Sequence, residues 1–283
     1  MAERHYDYAK MMNEIDSYMN KYPLMSVTGA CESILCRSVP AIILGEGESI
    51  VTYVGGEDGR DMISPSLLVR FVRDICALYE EGGSAFGFSA EVILKKYTLV
   101  IIPMLNPDGS CYCSSGVAED NPLAERVLAM NGGGRDFSAW MGNARGIELK
   151  YNYGTENSEY ESEPEVGALC NFLRYGMTPE MLITFSSCDG NDEAIYFGEG
   201  EIENKIAVAL SQMSGMKRVY RESEEQRVML FEWAQRELGA AAFSIDIPSF
   251  KASTRRQFED KGFSCYAKIR KALFCAPFLN KIK

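Results

Sequence analysis

Apolar residues change their period several times along this chain, and each change marks an element. Met11, Met12, Ile15 and Met19 recur at close to helical spacing between Tyr8 and Tyr22, and Pro23 ends the run, so the segment predicts an amphipathic helix. Three short apolar runs follow, Met25 to Thr28, Ala41 to Leu44 and Ile50 to Val54, each bounded by Gly, Pro or charged residues as strands are. From Ser64 to Glu81 the spacing returns to three and four (Leu67, Leu68, Phe71, Val72, Ile75, Leu78), with Pro65 in the first turn, where its missing N–H costs little. Tyr97 to Leu105 is almost continuously apolar, which predicts a strand buried on both faces, and Asn106-Pro107-Asp108-Gly109 closes it with a turn signal.

The second half repeats the alternation. Glu163 to Tyr175 reads as helix, Met181 to Ser187 as buried strand, Ile202 to Met213 and Leu230 to Leu238 as helices, and Ala242 to Ile247 as strand. The closing stretch, Gln257 to Phe274, carries Phe258, Phe263, Tyr266, Ile269 and Leu273 and predicts a terminal helix lying on the sheet. The expectation is an α/β fold, a single domain over 1–283, with a mixed, mostly parallel central sheet and helices on both faces. No repeat or low-complexity linker marks a boundary.

Composition narrows the function classes. The 46% hydrophobic content of 283 residues suffices for a full core. With 29 basic against 40 acidic residues and no Lys/Arg run interleaved with aromatics, the formal charge of -11 argues against nucleic acid as a partner. No window reaches the apolar length of a membrane span, and the first residues form no apolar leader, so the expectation is a cytoplasmic protein without a membrane partner. The nine cysteines are odd in number, and Cys76, Cys170, Cys265 and Cys275 sit in apolar stretches as reduced thiols do. Neither Cys111 with Cys113 nor Cys31 with Cys36 has the C-x-x-C spacing of a zinc knuckle.

Five separated segments then carry chemistry. Tyr53-Val-Gly-Gly-Glu-Asp-Gly-Arg-Asp-Met-Ile-Ser64 resembles the GGxHAREWIS turn of zinc carboxypeptidases, the carboxypeptidase A and T-like metallopeptidases. Val100 to Gly109 resembles their VIIPxxNPDG segment, and Asn143 to Tyr153 the NARGVDLNRNF segment of bacterial members. Ile183 to Ser187 and Ala242 to Ile247 resemble their ISIHS and AFTIEL strands. Order and spacing agree, so the resemblance runs from about Ile15 to the terminal helix and implies the phosphorylase/hydrolase-like architecture of that family.

Peptide hydrolysis in such a family rests on two His and one Glu around zinc with an open position, and on a second Glu that takes the proton of the metal-bound water. The resemblance puts Asp58, Asp61 and Ser186 at the three ligand positions and Asp246 at that of the general base. The sequence contains one histidine, His5, so no register shift can supply two imidazoles. Arg60 and Arg145 match the arginines of HARE and NARG, which in the family lie near the scissile carbonyl. Lys150-Tyr151 replaces the Asn-Arg pair that grips a C-terminal carboxylate, leaving a point charge where the family has a fork. Tyr220 is a poor match to the family's mobile tyrosine and reads as a surface residue at a strand end.

The resemblance further implies that Asp58, Asp61 and Asp246 converge on one pocket, with Asp189 at its rim. Such a cluster is either neutralised by Arg60 and Lys150 or holds a hard cation such as Mg²⁺ or Ca²⁺ weakly. No other cofactor is expected. Ser186 or Cys188 as a relocated nucleophile would need Asp246, or Lys150 as an amine of depressed pKa, for its base. The leading expectation is a non-catalytic member that binds a peptide, a cell-wall peptide fragment or a partner protein. The alternatives are a hydrolase using another metal or nucleophile, and an interaction protein with an empty cleft.

Overall fold

A computed structural model describes residues 6–154, 163–188, 193–222, 227–249 and 254–279. The first helix, α1 (Tyr8–Lys21), starts where the Asp7 side chain accepts from the Lys10 N–H (2.9 Å) and buries Met11 and Ile15. There follow β1 (Met25–Glu32), β2 (Ser38–Leu44), β3 (Ser49–Val54) and α2 (Ile63–Glu80). A small hairpin, β4 (Ser84–Ala85) and β5 (Phe88–Ser89), leads into α3 (Ala90–Lys96), β6 (Tyr97–Ile102), α4 (Pro107–Ser115) and α5 (Ala124–Met130). After a 3-10 turn at Leu149–Tyr151 come α6 (Pro164–Asn171), which winds into a π turn at Phe172–Gly176, then β7 (Met181–Cys188) and β8 (Ala194–Phe197). The chain continues through α7 (Glu201–Ser214), β9 (Lys217–Tyr220), α8 (Leu230–Leu238), β10 (Ala241–Pro248) and α9 (Arg255–Leu279).

Eight strands form one sheet in the order β1-β2-β6-β3-β7-β10-β8-β9. The centre (β6, β3, β7, β10) is parallel, while β1, β2 and the β10–β8 pair are antiparallel. Alternation along β6 shows why its sequence is apolar throughout. Tyr97, Leu99 and Ile101 join the core under α1, α2, α3, α7 and α9, whereas Val100 and Ile102 join the core against α6 and α8. Complete burial of one such aliphatic side chain stabilises the fold by about 1.5–3 kcal/mol. No helix of the described residues is long and apolar enough to cross a membrane.

The helices and strands read from the pattern are present, with differences at their ends. The apolar run from Tyr97 leaves the sheet at Ile102, and the expected turn at 106–109 is the start of α4. There Asn106 caps the helix by accepting from the Gly109 N–H (2.9 Å), and Pro107 takes the first helical position. The buried Asp108 accepts from Ser33 Oγ (2.8 Å) and pairs with Arg37 (2.5 Å), tying α4 to the β1–β2 connection. Met19 and Phe263, counted with the apolar faces of their helices, are 44% and 58% exposed. The short elements β4, β5, α3, α5, β8 and β9 carry too few apolar positions to show a period.

Candidate functional site

The parallel strands β3, β7 and β10 end on one side of the sheet, where chains of this topology build their sites. The turn after β3 needs glycine twice. Gly56 has φ +63°, and a Cβ there would lie 2.8 Å from Met104 Cα; a Cβ on Gly59 would lie 2.8 Å from the Gly109 backbone. The turn is thus pressed onto the start of α4, where Asn106 Nδ2 donates to the carbonyls of Glu57 and Gly142 (3.1 Å each).

Asp246 and Ser186 are register partners on β10 and β7, so their side chains leave the same face side by side. Ser186 Oγ donates to Asp246 Oδ1 at 2.6 Å. Lys150, on the 3-10 turn anchored by the buried Leu149, donates from Nζ to Ser186 Oγ at 2.9 Å and lies 3.4 Å from Asp246 Oδ1. Burial acts to lower the Lys150 pKa, but Asp246, Tyr151 and Glu57 outweigh it and hold the ammonium above its usual range. The idea of Lys150 as a depressed-pKa base is therefore corrected: it is a donor, and Ser186 sits between an ammonium and a carboxylate.

Asp58 accepts from the Arg60 backbone N–H (3.0 Å) and pairs with its guanidinium Nε (3.1 Å). Burial nevertheless pushes the Asp58 carboxyl up to about 6, against the pull of Arg60. Asp61 does different work. Its Oδ1 accepts from the N–H groups of Ile63 (2.9 Å) and Ser64 (3.0 Å), and its Oδ2 from Ser64 Oγ and from the Ser187 N–H (3.2 Å). Four donors fill the four acceptor directions of a carboxylate, so Asp61 caps α2 and ties it to β7.

A cavity of about 190 Å³ opens between these groups, walled by Glu57, Asp58, Arg60, Lys150, Tyr151, Ser186 and Asp246 among others. Asp61 stays behind the wall. Arg145 is also outside the lining, its guanidinium turned to Glu163 (3.0 Å), which accepts from Asn143 Nδ2 (2.6 Å) as well. The expected convergence of three aspartates therefore holds for Asp58 and Asp246 only. Tyr220 ends β9 and is 56% exposed, as a surface residue at a strand end. His5, Asp189 and the side chain of Cys188 lie outside the described residues.

Glu57 is the group that sequence reasoning passed over. It is 2% exposed, lines the cavity, and accepts from the Tyr153 hydroxyl at 2.8 Å. Burial pushes its carboxyl up to about 7, opposed by Tyr153 and Lys150 and assisted by the nearby Asp246 and Asp61. The signal was a charged residue in a turn that two glycines force against the core. Glu148 in the wall and Arg227, whose guanidinium lies 4.0 Å over the Tyr151 ring, were missed for want of any pattern.

The zinc carboxypeptidase family model matches residues 11–241. The chain belongs to the zinc carboxypeptidase family. Among solved structures, the metallo-carboxypeptidase of Burkholderia cenocepacia superposes with a TM-score of 0.68 at 14% identity, covering 96% of this chain and 70% of that one. Bovine thrombin-activatable fibrinolysis inhibitor, in complex with tick carboxypeptidase inhibitor, gives 0.67 at 15% identity, covering 99% and 97%. A curated relative, gamma-D-glutamyl-L-diamino acid endopeptidase 1 of Lysinibacillus sphaericus, is 27% identical over 148 residues, 52% of this chain. That match spans 37% of the relative's length.

The family is zinc-dependent, yet the residues that the resemblance sets at its ligand positions do not fit the ion. Asp61 has no acceptor direction left, Asp58 is bonded to Arg60, and the Ser186 hydroxyl is held between Lys150 and Asp246. Among the described residues no three His, Cys, Asp or Glu side chains are grouped to hold a metal. The Lys150 ammonium stands 2.9 Å from Ser186, which the resemblance sets at the position of the second histidine.

Proposed function

We propose that this zinc-carboxypeptidase-family chain binds a peptide or peptide-like ligand, such as a cell-wall peptide fragment, in the cleft and does not hydrolyse it with a metal-activated water. The observation that carries this reading is the Lys150–Ser186–Asp246 cluster. The carboxylate at the general-base position is committed to a serine hydroxyl and an ammonium, where a hydrolase would leave it to a water. The activity that names the Lysinibacillus sphaericus relative supports peptide-like ligands with γ-D-glutamyl linkages as the class to test first. Arg60, Lys150 and Tyr151 line the wall and supply two cations and a ring for such a ligand.

The experiment is calorimetric titration of the purified chain with C-terminal peptides and with γ-D-glutamyl-diamino acid peptides, each mixture then analysed by mass spectrometry. Binding with intact peptide agrees with the reading; cleavage that a chelator abolishes refutes it. A second reading, hydrolysis by Ser186 with Asp246 as base, draws on their 2.6 Å hydrogen bond. Covalent labelling of Ser186 by a fluorophosphonate, lost in Ser186→Ala, would establish it.

A further inference from the structure

On the face of the sheet that α1, α2 and α9 cover, away from the cleft, these helices enclose a groove of about 440 Å³, more than twice the volume of the cleft cavity. Its wall carries four basic residues against three acidic ones, although the whole chain is at -11. Arg70 of α2 is the group that needs an explanation. Its guanidinium carbon lies 4.8 Å from the ring centre of Phe263 and 4.9 Å from that of Tyr266, two residues one turn apart on α9. Among the described residues those rings are its interactions; its Nε is shielded from solvent and has no acceptor. Ring contacts favour the charge but occupy none of the five N–H donors with an oxygen.

The neighbouring carboxylates are engaged elsewhere. In the wall Glu14 accepts from the Tyr6 hydroxyl (2.9 Å), Glu259 pairs with Arg255 (2.7 Å) and Asp260 lies 3.9 Å from Arg256, while Asp74 beside it takes Arg73 (2.9 Å), Arg270 (3.5 Å) and the Tyr266 hydroxyl (3.0 Å). Phe263, 58% exposed and one turn before the buried Tyr266 on α9, gives the groove an apolar rim beside the cation. We propose that this groove is a second ligand site, taking a small organic anion, a carboxylate or phosphate on an apolar carrier, with Arg70 as its fork and Phe263 against the carrier. An arginine held against two rings is pre-oriented, so little side-chain freedom is lost when an oxyanion engages its donors.

Calorimetric titration of the full chain with inorganic phosphate and with benzoate tests this. Saturable binding of at least one probe is expected, weakened about tenfold or more in Arg70→Gln, which removes the charge-assisted bonds. The exposed Lys217→Gln on β9 controls for net charge and should bind as the wild type. Saturation by phosphate alone assigns a phosphoryl group, and by benzoate alone a carboxylate on an apolar carrier, which Phe263→Ala should then weaken. Should Arg70→Gln fail to fold by circular dichroism, Arg70→Lys keeps the charge, loses the fork and carries the same comparison. No saturation by either probe, or unchanged affinity in the Arg70 variant, overturns the proposal.

Discussion

Lys150 is the residue on which the cleft's electrostatics turn. It is largely buried beside Asp246, so replacing it by methionine leaves a carboxylate in a low-dielectric site without its counter-charge. Breaking a buried pair from one side costs about 3–5 kcal/mol, and partial exposure of this one puts Lys150→Met at the lower end. Urea denaturation should show that loss, and the double variant Lys150→Met/Asp246→Asn should recover part of it. Glu57 gives a second prediction, about pH. Its folded carboxyl is pushed up to about 7 and that of Asp58 to about 6, so between pH 4 and 7 the folded chain binds more protons than the unfolded one. Their contribution is complete in acid and lost as pH rises through these values. Urea midpoints measured from pH 5 to pH 8 should therefore fall less in Glu57→Gln than in the wild type, since glutamine keeps an acceptor for Tyr153 and cannot ionise.

At the scale of elements, Asp61 separates two roles that sequence alone conflates. A ligand-position aspartate could be lost with little effect on stability, but this one caps α2 through two backbone N–H groups and holds a third on β7. Asp61→Ala should cost about 2 kcal/mol or more of stability, read by denaturation. Ligand binding per folded molecule should change little. Asn106→Ala should cost about as much, for it removes the α4 cap and leaves the carbonyls of Glu57 and Gly142 without their donor. The long helices and central strands were legible because burial on one or both faces imposes a period. The start of α4 was not, because Asn-Pro-Asp-Gly suits a turn and a capped helix equally, and the contacts that decide between them come from residues some fifty positions earlier.

At the scale of the whole molecule, motif order pointed to Asp58, Arg60, Lys150, Tyr151, Ser186 and Asp246 as neighbours, and they line one cavity because strand ends converge wherever this sheet forms. It could not say which way Asp61 and Arg145 point, since that depends on partners, Ser187 and Glu163, brought in by tertiary packing. The same convergence yields a global prediction. Elemental analysis of the purified chain should find no stoichiometric zinc, and a chelator should leave its melting temperature unchanged; one tightly held zinc per chain would overturn the reading of the cleft.

A tethered ammonium differs from a captured ion in one further way. Metalloenzymes of this architecture leave the ribosome unfinished and must collect their charge from a competitive pool of ions. Here the positive centre is encoded by a lysine codon and arrives when the 3-10 turn docks on β7 and β10. On the proposed reading of the cleft, folding alone completes it, and neither metal scarcity nor the wrong ion would leave it half built.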